Sequence, residues 1–326
     1  MKIIFWGTPE YSVTSLKNLI DSNNEILAVI TQPDKKRARG SKLIPSPIKA
    51  LSNLYNIPVI CPEKLKNNSS FISELKSFKS DLFIVIAYGK ILTKEILEIP
   101  KFGSWNAHAS LLPRWRGAAP IHWSLLYGDK KTGVCIMHME EGLDTGDILI
   151  EDQIEIENTD NLDSLSNKLS NLSSKLILKA IDLIEIKFDQ NKLKLLSQLN
   201  TNRKVKYARM ISKNDYFIDF NDDAKNINRK INGLYPNAYI KYKNRKLKIL
   251  KINIINKIDF KISEILSQFK NNKTGIILGI IKNEGIIIST NTKPILISEI
   301  KIEGKKNASG NNLIQQIRPV IGEKFN

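Results

Sequence analysis

Residues 104–120 read Ser-Trp-Asn-Ala-His-Ala-Ser-Leu-Leu-Pro-Arg-Trp-Arg-Gly-Ala-Ala-Pro, and they follow a continuous apolar run over residues 81–88. Such a run predicts a parallel strand that is buried on both faces. If the chain is extended again at 104–108, Asn106 and His108 project to the same side, because side chains in a strand alternate. Ligands of open α/β sheets bind at the carboxyl ends of the strands, so we expect this pair to line a site there.

The N-terminal sequence indicates how this sheet begins. An apolar strand over residues 2–7 is followed by Gly7-Thr-Pro-Glu and by a helical pattern that continues to Ile20. Strand, glycine turn and helix are typical of a doubly wound α/β fold. The turn lacks the Gly-x-Gly-x-x-Gly pattern, so no dinucleotide cofactor is indicated. We therefore predict a Rossmann-like N-terminal domain with a mostly parallel sheet, closed by an amphipathic helix over 161–186.

The sequence changes character in its last third. Short strand-like segments separated by Gly and Asn turns predict a small OB-like β-barrel. The predicted strands are residues 239–242, 247–255, 275–281, 286–290 and 295–300. We accordingly predict a catalytic domain over 1–188, a polar linker over 189–206 and a C-terminal β-barrel over 207–326.

Composition limits the class of protein. The chain has 326 residues and a formal net charge of +17, which fits a nucleic-acid partner but also fits a chain rich in solvated lysines. It has no apolar run long enough to cross a membrane and no signal-peptide pattern. Its two cysteines, Cys61 and Cys135, are far apart without metal-ligand spacing, so we expect reduced thiols and a cytoplasmic location.

Three side chains are suited to acid–base and oxyanion chemistry. Asn106 and His108 supply an amide and an imidazole, and Asp144 lies in the turn Gly142-Leu-Asp-Thr-Gly-Asp147. Together such groups can stabilise a developing oxyanion and accept a proton. The two remaining histidines, His122 in a predicted helix and His138 on a predicted strand, are interpreted as packing or surface residues.

The pattern Asn-x-His-x-Ser-Leu-Leu-Pro followed by Gly-Leu-Asp-Thr-Gly-Asp resembles the core of the folate-dependent formyltransferases. The resemblance implies 10-formyltetrahydrofolate as co-substrate and no metal. It implies that Asn106 and protonated His108 stabilise the oxyanion, while Asp144 holds His108 charged and accepts or relays the amine proton. The folate-binding segment would comprise Ser110, Leu111, Leu112 and Pro113. The sequence departs from the family at Cys135, where Thr or Ser is usual, and at Trp105, where an aliphatic residue is usual.

The segment 31–49 is long and basic, with six Lys or Arg residues. It is similar to a loop in the members of that family that act on methionyl-tRNA, which implies methionyl initiator tRNA as partner and Arg39 and Lys42 as tRNA-binding residues. Basic residues also alternate along the predicted barrel, where they form either an RNA-binding face or a solvated edge: Lys241, Lys243, Arg245, Lys246, Lys248 and Lys251. We expect a monomer.

The residues alone are also compatible with two other functions. A formyltransferase for a small amine would share the Asn, His and Asp set, but the basic loop and the barrel argue against it. A non-enzymatic RNA-binding module would explain the charge and the barrel, but it would give Asn106, His108 and Asp144 no role. The favoured hypothesis is formyl transfer to the α-amino group of methionyl initiator tRNA, in support of translation initiation.

Overall fold

The structure is a computed structural model, and it describes residues 1–36, 43–188, 192–243, 245–255 and 273–325. The chain separates into two compact units. The first comprises Met1–Pro120, Lys130–Ile156 and Ser164–Arg209; the second comprises Ile121–Asp129, Glu157–Asp163 and Met210–Asn326. Segment 192–209, most of which we predicted as linker, therefore belongs with the first unit.

A seven-stranded sheet forms the centre of the first unit. Its strands are β1 (Lys2–Gly7), β2 (Glu25–Ile30), β5 (Val59–Ile60), β6 (Leu82–Ile86), β7 (Ser104–His108), β8 (Lys131–His138) and β9 (Ile148–Glu155), in the order β5-β2-β1-β6-β7-β8-β9. The four pairings from β5 to β7 are parallel, whereas β8 runs antiparallel to both of its neighbours. The prediction of a mostly parallel sheet is thus confirmed. A separate pair, β3 (Lys35–Lys36) and β4 (Leu43–Ile44), flanks the basic loop.

Within the described residues up to 188, the chain forms six α-helices, of which the fifth falls mostly in the second unit. They are α1 (Val13–Ile20), α2 (Pro47–Leu54), α3 (Ser69–Ser77), α4 (Lys94–Leu97), α5 (Pro120–Tyr127) and α6 (Leu162–Lys187). Helix α2 begins after Ser46, whose hydroxyl accepts a hydrogen bond from the Lys49 N–H at 3.0 Å, with proline in the first turn. Helix α6 buries residues at three- and four-residue spacing, including Leu165, Leu169 and Leu176.

An antiparallel sheet forms the centre of the second unit. Its strands are β10 (Tyr239–Tyr242), β11 (Arg245–Ile254), β12 (Ile277–Ile281), β13 (Gly285–Ile288), β14 (Ile295–Ile302) and β15 (Ala308–Ser309). The order is β10-β11-β14-β13-β12, with β15 added beside β14. Helix α7 (Ala224–Gly233) and helix α8 (Gly310–Ile317) bury isoleucines and leucines in the same core, together with Ile249 and Ile297.

The strand count of this unit matches the predicted barrel, but its described pairing is that of an antiparallel sheet. Strands β10 and β12 lie at opposite ends of the order and do not pair with each other within the described residues. Closure into an OB-like barrel therefore stays a prediction. No helix in the described part of the chain is long and apolar enough to span a membrane.

Candidate active site

The carboxyl ends of three parallel strands are tied together by hydrogen bonds. Thr8 follows β1, Gln32 follows β2 and Tyr88 follows β6. The Thr8 hydroxyl and the Gln32 side-chain amide both donate to the Tyr88 carbonyl, at 3.0 and 3.1 Å. Because chain order reverses between β1 and β6, this edge is where an open α/β sheet leaves room for a ligand.

Strand β7 brings Asn106 and His108 to the same edge. Asn106 is partly exposed between the buried Trp105 and Ala107, and it pairs in register with Val85 of β6. His108, two residues further on, is the last residue of the strand and is buried. The predicted alternation is therefore present, and both side chains project from one face of β7.

His108 lies between two acceptors. Its Nε2 is 2.9 Å from the Trp115 carbonyl oxygen, and its Nδ1 is 3.6 Å from an Asp144 carboxylate oxygen. A carbonyl only accepts, so Nε2 must carry a hydrogen. The Nδ1 distance is too long for a hydrogen bond, which leaves Nδ1 as the nitrogen available to a substrate or to the carboxylate.

Asp144 is presented by an unusual backbone conformation. Its φ is +52°, in the left-handed region that Asp tolerates better than most residues. The same oxygen that faces His108 accepts a hydrogen bond from the Gly117 N–H at 2.7 Å. Gly117 has a φ of +114°, and a Cβ there would lie 2.9 Å from the Ala208 carbonyl, so only glycine fits. The turn thus holds one carboxylate oxygen in a fixed place beside the imidazole.

Several residues around Asp144 were not predicted. Trp115 and Gly117 act through backbone groups, and the Arg116 guanidinium donates two hydrogen bonds to the Gln198 side chain. The Arg-Trp-Arg-Gly sequence directly after the predicted folate segment was a signal for the first three. Gln198 had no such signal, because it lies in a Lys/Asn/Gln-rich stretch that is typical of a linker.

The four residues of the predicted folate segment are mostly enclosed. Ser110 is buried and its hydroxyl donates to the Arg114 carbonyl at 2.6 Å, while Leu112 packs in an apolar cluster. Pro113 is buried as well, so Leu111 is the most exposed of the four. Leu111 is therefore the residue of the four with the most surface available for a folate contact.

Cys135 connects this segment to β9. Its thiol accepts a hydrogen bond from the Leu112 N–H at 3.3 Å and donates to a Glu151 carboxylate oxygen at 3.2 Å. Glu151 is in turn paired through both carboxylate oxygens with Arg203 at 2.8 Å. Burial, assisted by the nearby Glu151 charge, raises the pKa of the Cys135 thiol well above its ordinary value. The thiol therefore stays protonated and can donate, as the usual Thr or Ser hydroxyl would.

The remaining residues singled out in the sequence are His122, His138 and those of the basic loop. Burial lowers the pKa of both His122 and His138, and the His138 ring packs edge-on against Trp105. The predicted tRNA-binding residues Arg39 and Lys42 lie outside the described residues. In the described ranges, no group of three or more His, Cys, Asp or Glu side chains could hold a metal ion.

Comparison with known protein families agrees with the resemblance seen in the sequence. The family model for the formyl transferases matches residues 1–181, and the model for the formyl transferase C-terminal domain matches residues 210–318. Because these matches cover most of the chain, it belongs to the formyltransferase family.

Relatives that match over almost their full length show which group of the formyltransferase family this chain resembles. The methionyl-tRNA formyltransferase of Prochlorococcus marinus subsp. pastoris is 60% identical over 100% of this chain and 99% of its own length. The enzyme of the same name from Synechococcus sp. (strain CC9902) is 41% identical, again over 100% and 99% of the two chains. The chain therefore falls in the methionyl-tRNA formyltransferase group of the family.

Solved structures agree at the level of the fold. WlaRD, a sugar 3N-formyltransferase determined with dTDP and 5-N-formyl-THF, superposes with a TM-score of 0.63 at 20% identity, covering 94% of this chain and 99% of that chain. HypX from Aquifex aeolicus in complex with tetrahydrofolic acid gives a TM-score of 0.60 at 14% identity, covering 99% of this chain and 48% of that chain.

Proposed function

We propose that this protein transfers the formyl group of 10-formyltetrahydrofolate to the α-amino group of methionyl initiator tRNA, and so supports translation initiation. The observation that carries the chemistry is the convergence of His108 and Asp144 at the carboxyl edge of the sheet. The full-length similarity to methionyl-tRNA formyltransferases supports the choice of acceptor.

The reaction needs an oxyanion to be stabilised and a proton to be moved. The amine nitrogen attacks the formyl carbon, the carbonyl oxygen becomes negative in a tetrahedral intermediate, and the bond to N10 of the folate then breaks. The attacking nitrogen gives up a proton and N10 takes one. Asn106 donates its side-chain amide N–H to the oxyanion, and His108 offers Nδ1–H when the ring is protonated.

Asp144 completes this arrangement. Its carboxylate faces Nδ1 of His108 at 3.6 Å, a distance too long for a hydrogen bond. The Asp144 carboxylate accepts or relays the proton that the amine releases. The Ser110–Pro113 segment contacts the folate in this proposal.

The tRNA would be bound through positive charge. Arg39 and Lys42 in the basic loop approach the acceptor end, and the second unit, as an OB-like barrel, supplies a basic face for the RNA backbone. We propose that the protein works as a cytoplasmic monomer.

One assay tests this function against the two other candidates. Formyl transfer from labelled 10-formyltetrahydrofolate is measured with methionyl initiator tRNA, free methionine and a small amino sugar nucleotide as acceptors. We expect label on the tRNA alone. Transfer to the small amine with none to tRNA would identify a small-amine enzyme, and tRNA binding without any transfer would identify a binding module.

A further inference from the structure

Gln198 is a buried side chain in the segment that follows helix α6. It is 2% exposed and begins a short 3-10 turn, Gln198–Asn200. Leu196, two residues earlier, exchanges both backbone hydrogen bonds with Ile148 at 2.9 and 2.8 Å. This pairing fixes the segment beside the first residue of β9, directly after the Asp144 turn.

The Gln198 amide is fully occupied by hydrogen bonds. Its Nε2 donates to the carbonyl oxygens of Asp144 and Gly146, at 2.9 and 2.8 Å. Its Oε1 accepts from Nε and Nη2 of Arg116, at 3.0 and 2.7 Å. A guanidinium only donates and a carbonyl only accepts, so the amide has one possible orientation.

These bonds act on the backbone that presents the catalytic carboxylate. The two carbonyls held by Gln198 belong to Asp144 itself and to the second residue after it. Asp144 has a φ of +52°, a conformation that persists in a non-glycine residue only when its surroundings hold it. Arg116 is followed by Gly117, whose N–H binds the Asp144 carboxylate. Gln198, Arg116 and Gly117 therefore hold the turn through its backbone and through its side chain.

We propose that Gln198 is a positioning residue for catalysis, which sets the distance between the Asp144 carboxylate and Nδ1 of His108. This inference rests on the proposed function, in which Asp144 takes part in formyl transfer. Gln198 does not touch the reacting atoms, and it acts only through the Asp144 turn.

The test compares two substitutions at Gln198 with a control. Gln198→Glu keeps the size of the side chain and its pairing with Arg116, but it turns a carboxylate oxygen toward the two carbonyls. Gln198→Met keeps the volume of the side chain and removes all four hydrogen bonds. It serves as the test variant if Gln198→Glu does not fold. Gln153→Glu, on the exposed part of β9, is the matched control for charge.

We expect kcat to fall about 10- to 100-fold in both Gln198 variants, because a small misplacement of a catalytic group has costs of this order. KM for folate and for tRNA should stay within about twofold of the wild-type values. Gln153→Glu should behave like the wild type. A kcat within about twofold of wild type in a folded Gln198 variant would overturn the proposal, as would an effect confined to KM.

A double-mutant cycle separates positioning from general structural support. In the Asp144→Asn background, Gln198→Glu should lower kcat little further. The reason is that Gln198 acts by positioning the Asp144 carboxylate, which this background already lacks. A decrease in kcat by the same factor in both backgrounds would contradict the proposal. Absence of formylation by the wild-type protein would instead overturn the proposed function, so the two failures are distinguishable.

Discussion

At the scale of single residues, the site depends on which hydrogen-bonding groups surround one imidazole. The Trp115 carbonyl occupies Nε2 of His108, and Asp144 faces Nδ1 across 3.6 Å. Asn106 projects from the same face of β7 and supplies an amide donor. This arrangement leaves Nδ1 as the ring nitrogen that faces the substrate. The sequence could not decide this, because the Arg-Trp-Arg-Gly motif does not show which ring nitrogen the Trp115 carbonyl would contact.

Removal of either side chain from β7 should abolish most of the activity without unfolding the protein. Asn106→Ala removes one donor to the oxyanion, and His108→Ala removes the second donor. We expect kcat to fall by about 10²–10⁴ in each, the usual range for such groups. Steady-state formylation of methionyl-tRNA measures this, with His122→Asn as the control that should retain activity. Near-normal turnover in a folded His108→Ala protein would remove His108 from the site.

At the scale of elements, Cys135 ties strand β8 to the Ser110–Pro113 segment. Its thiol bridges the Leu112 N–H and the Glu151 carboxylate. Cys135→Ser should preserve both bonds, whereas Cys135→Val leaves a buried N–H unsatisfied and should lower the free energy of unfolding by about 1–3 kcal/mol. Urea denaturation measures the stability, and KM for the folate should rise in the valine variant. Equal stability and KM in the two variants would show that the bridge has no role.

The elements were largely predictable because their patterns are local. The buried run before Tyr88, the alternation at Asn106 and His108, and the three-and-four spacing of α6 each specify one kind of element. Gln198 and Arg203 escaped prediction because they act through residues that are distant in sequence, namely 144–146 for the glutamine and 151 for the arginine. A single sequence shows such polar residues only as part of a hydrophilic stretch.

At the scale of the whole molecule, burial of two histidines should make stability depend on pH. Burial lowers the pKa of His122 and of His138 below the ordinary value of 6.5. Below about pH 6.5 the unfolded chain takes up protons that the folded chain resists, so the free energy of unfolding falls with acidification. Thermal melts of His138→Phe, which keeps a ring against Trp105, should lose less stability between pH 7 and 5 than wild type. An unchanged pH dependence would show that His138 contributes nothing to it.

Lysines lie side by side on one described surface of the second unit. Lys241 lies opposite Lys246, and Lys248 lies opposite Lys301, across neighbouring strands. Like charges in such pairs are destabilising, and the pKa of Lys248 is lowered, first by burial and then by Lys246 and Lys301. The cost of this arrangement favours a role in binding phosphates over a merely solvated lysine surface.

Neutralisation of this lysine face should weaken tRNA binding and its salt dependence together. The triple variant Lys246→Gln, Lys248→Gln and Lys301→Gln should reduce the slope of log K against log salt by roughly 0.7–0.9 for each phosphate that the protein no longer neutralises. A matched variant removes three exposed lysines of the first unit, Lys17, Lys66 and Lys76, and it should leave the slope nearly unchanged. Equal slopes for the two variants would mean that only total charge matters.

In the proposed mechanism, Asp144 beside His108 acts in the chemical step of formyl transfer. The most direct measurement is the single-turnover rate of formylation of saturating methionyl initiator tRNA by Asp144→Asn, which keeps the shape of the side chain and an acceptor for the Gly117 N–H. We predict a rate at least about 100-fold below wild type, with tRNA and folate binding preserved. A rate within a few-fold of wild type would show that the Asp144 carboxylate takes no part in the chemical step.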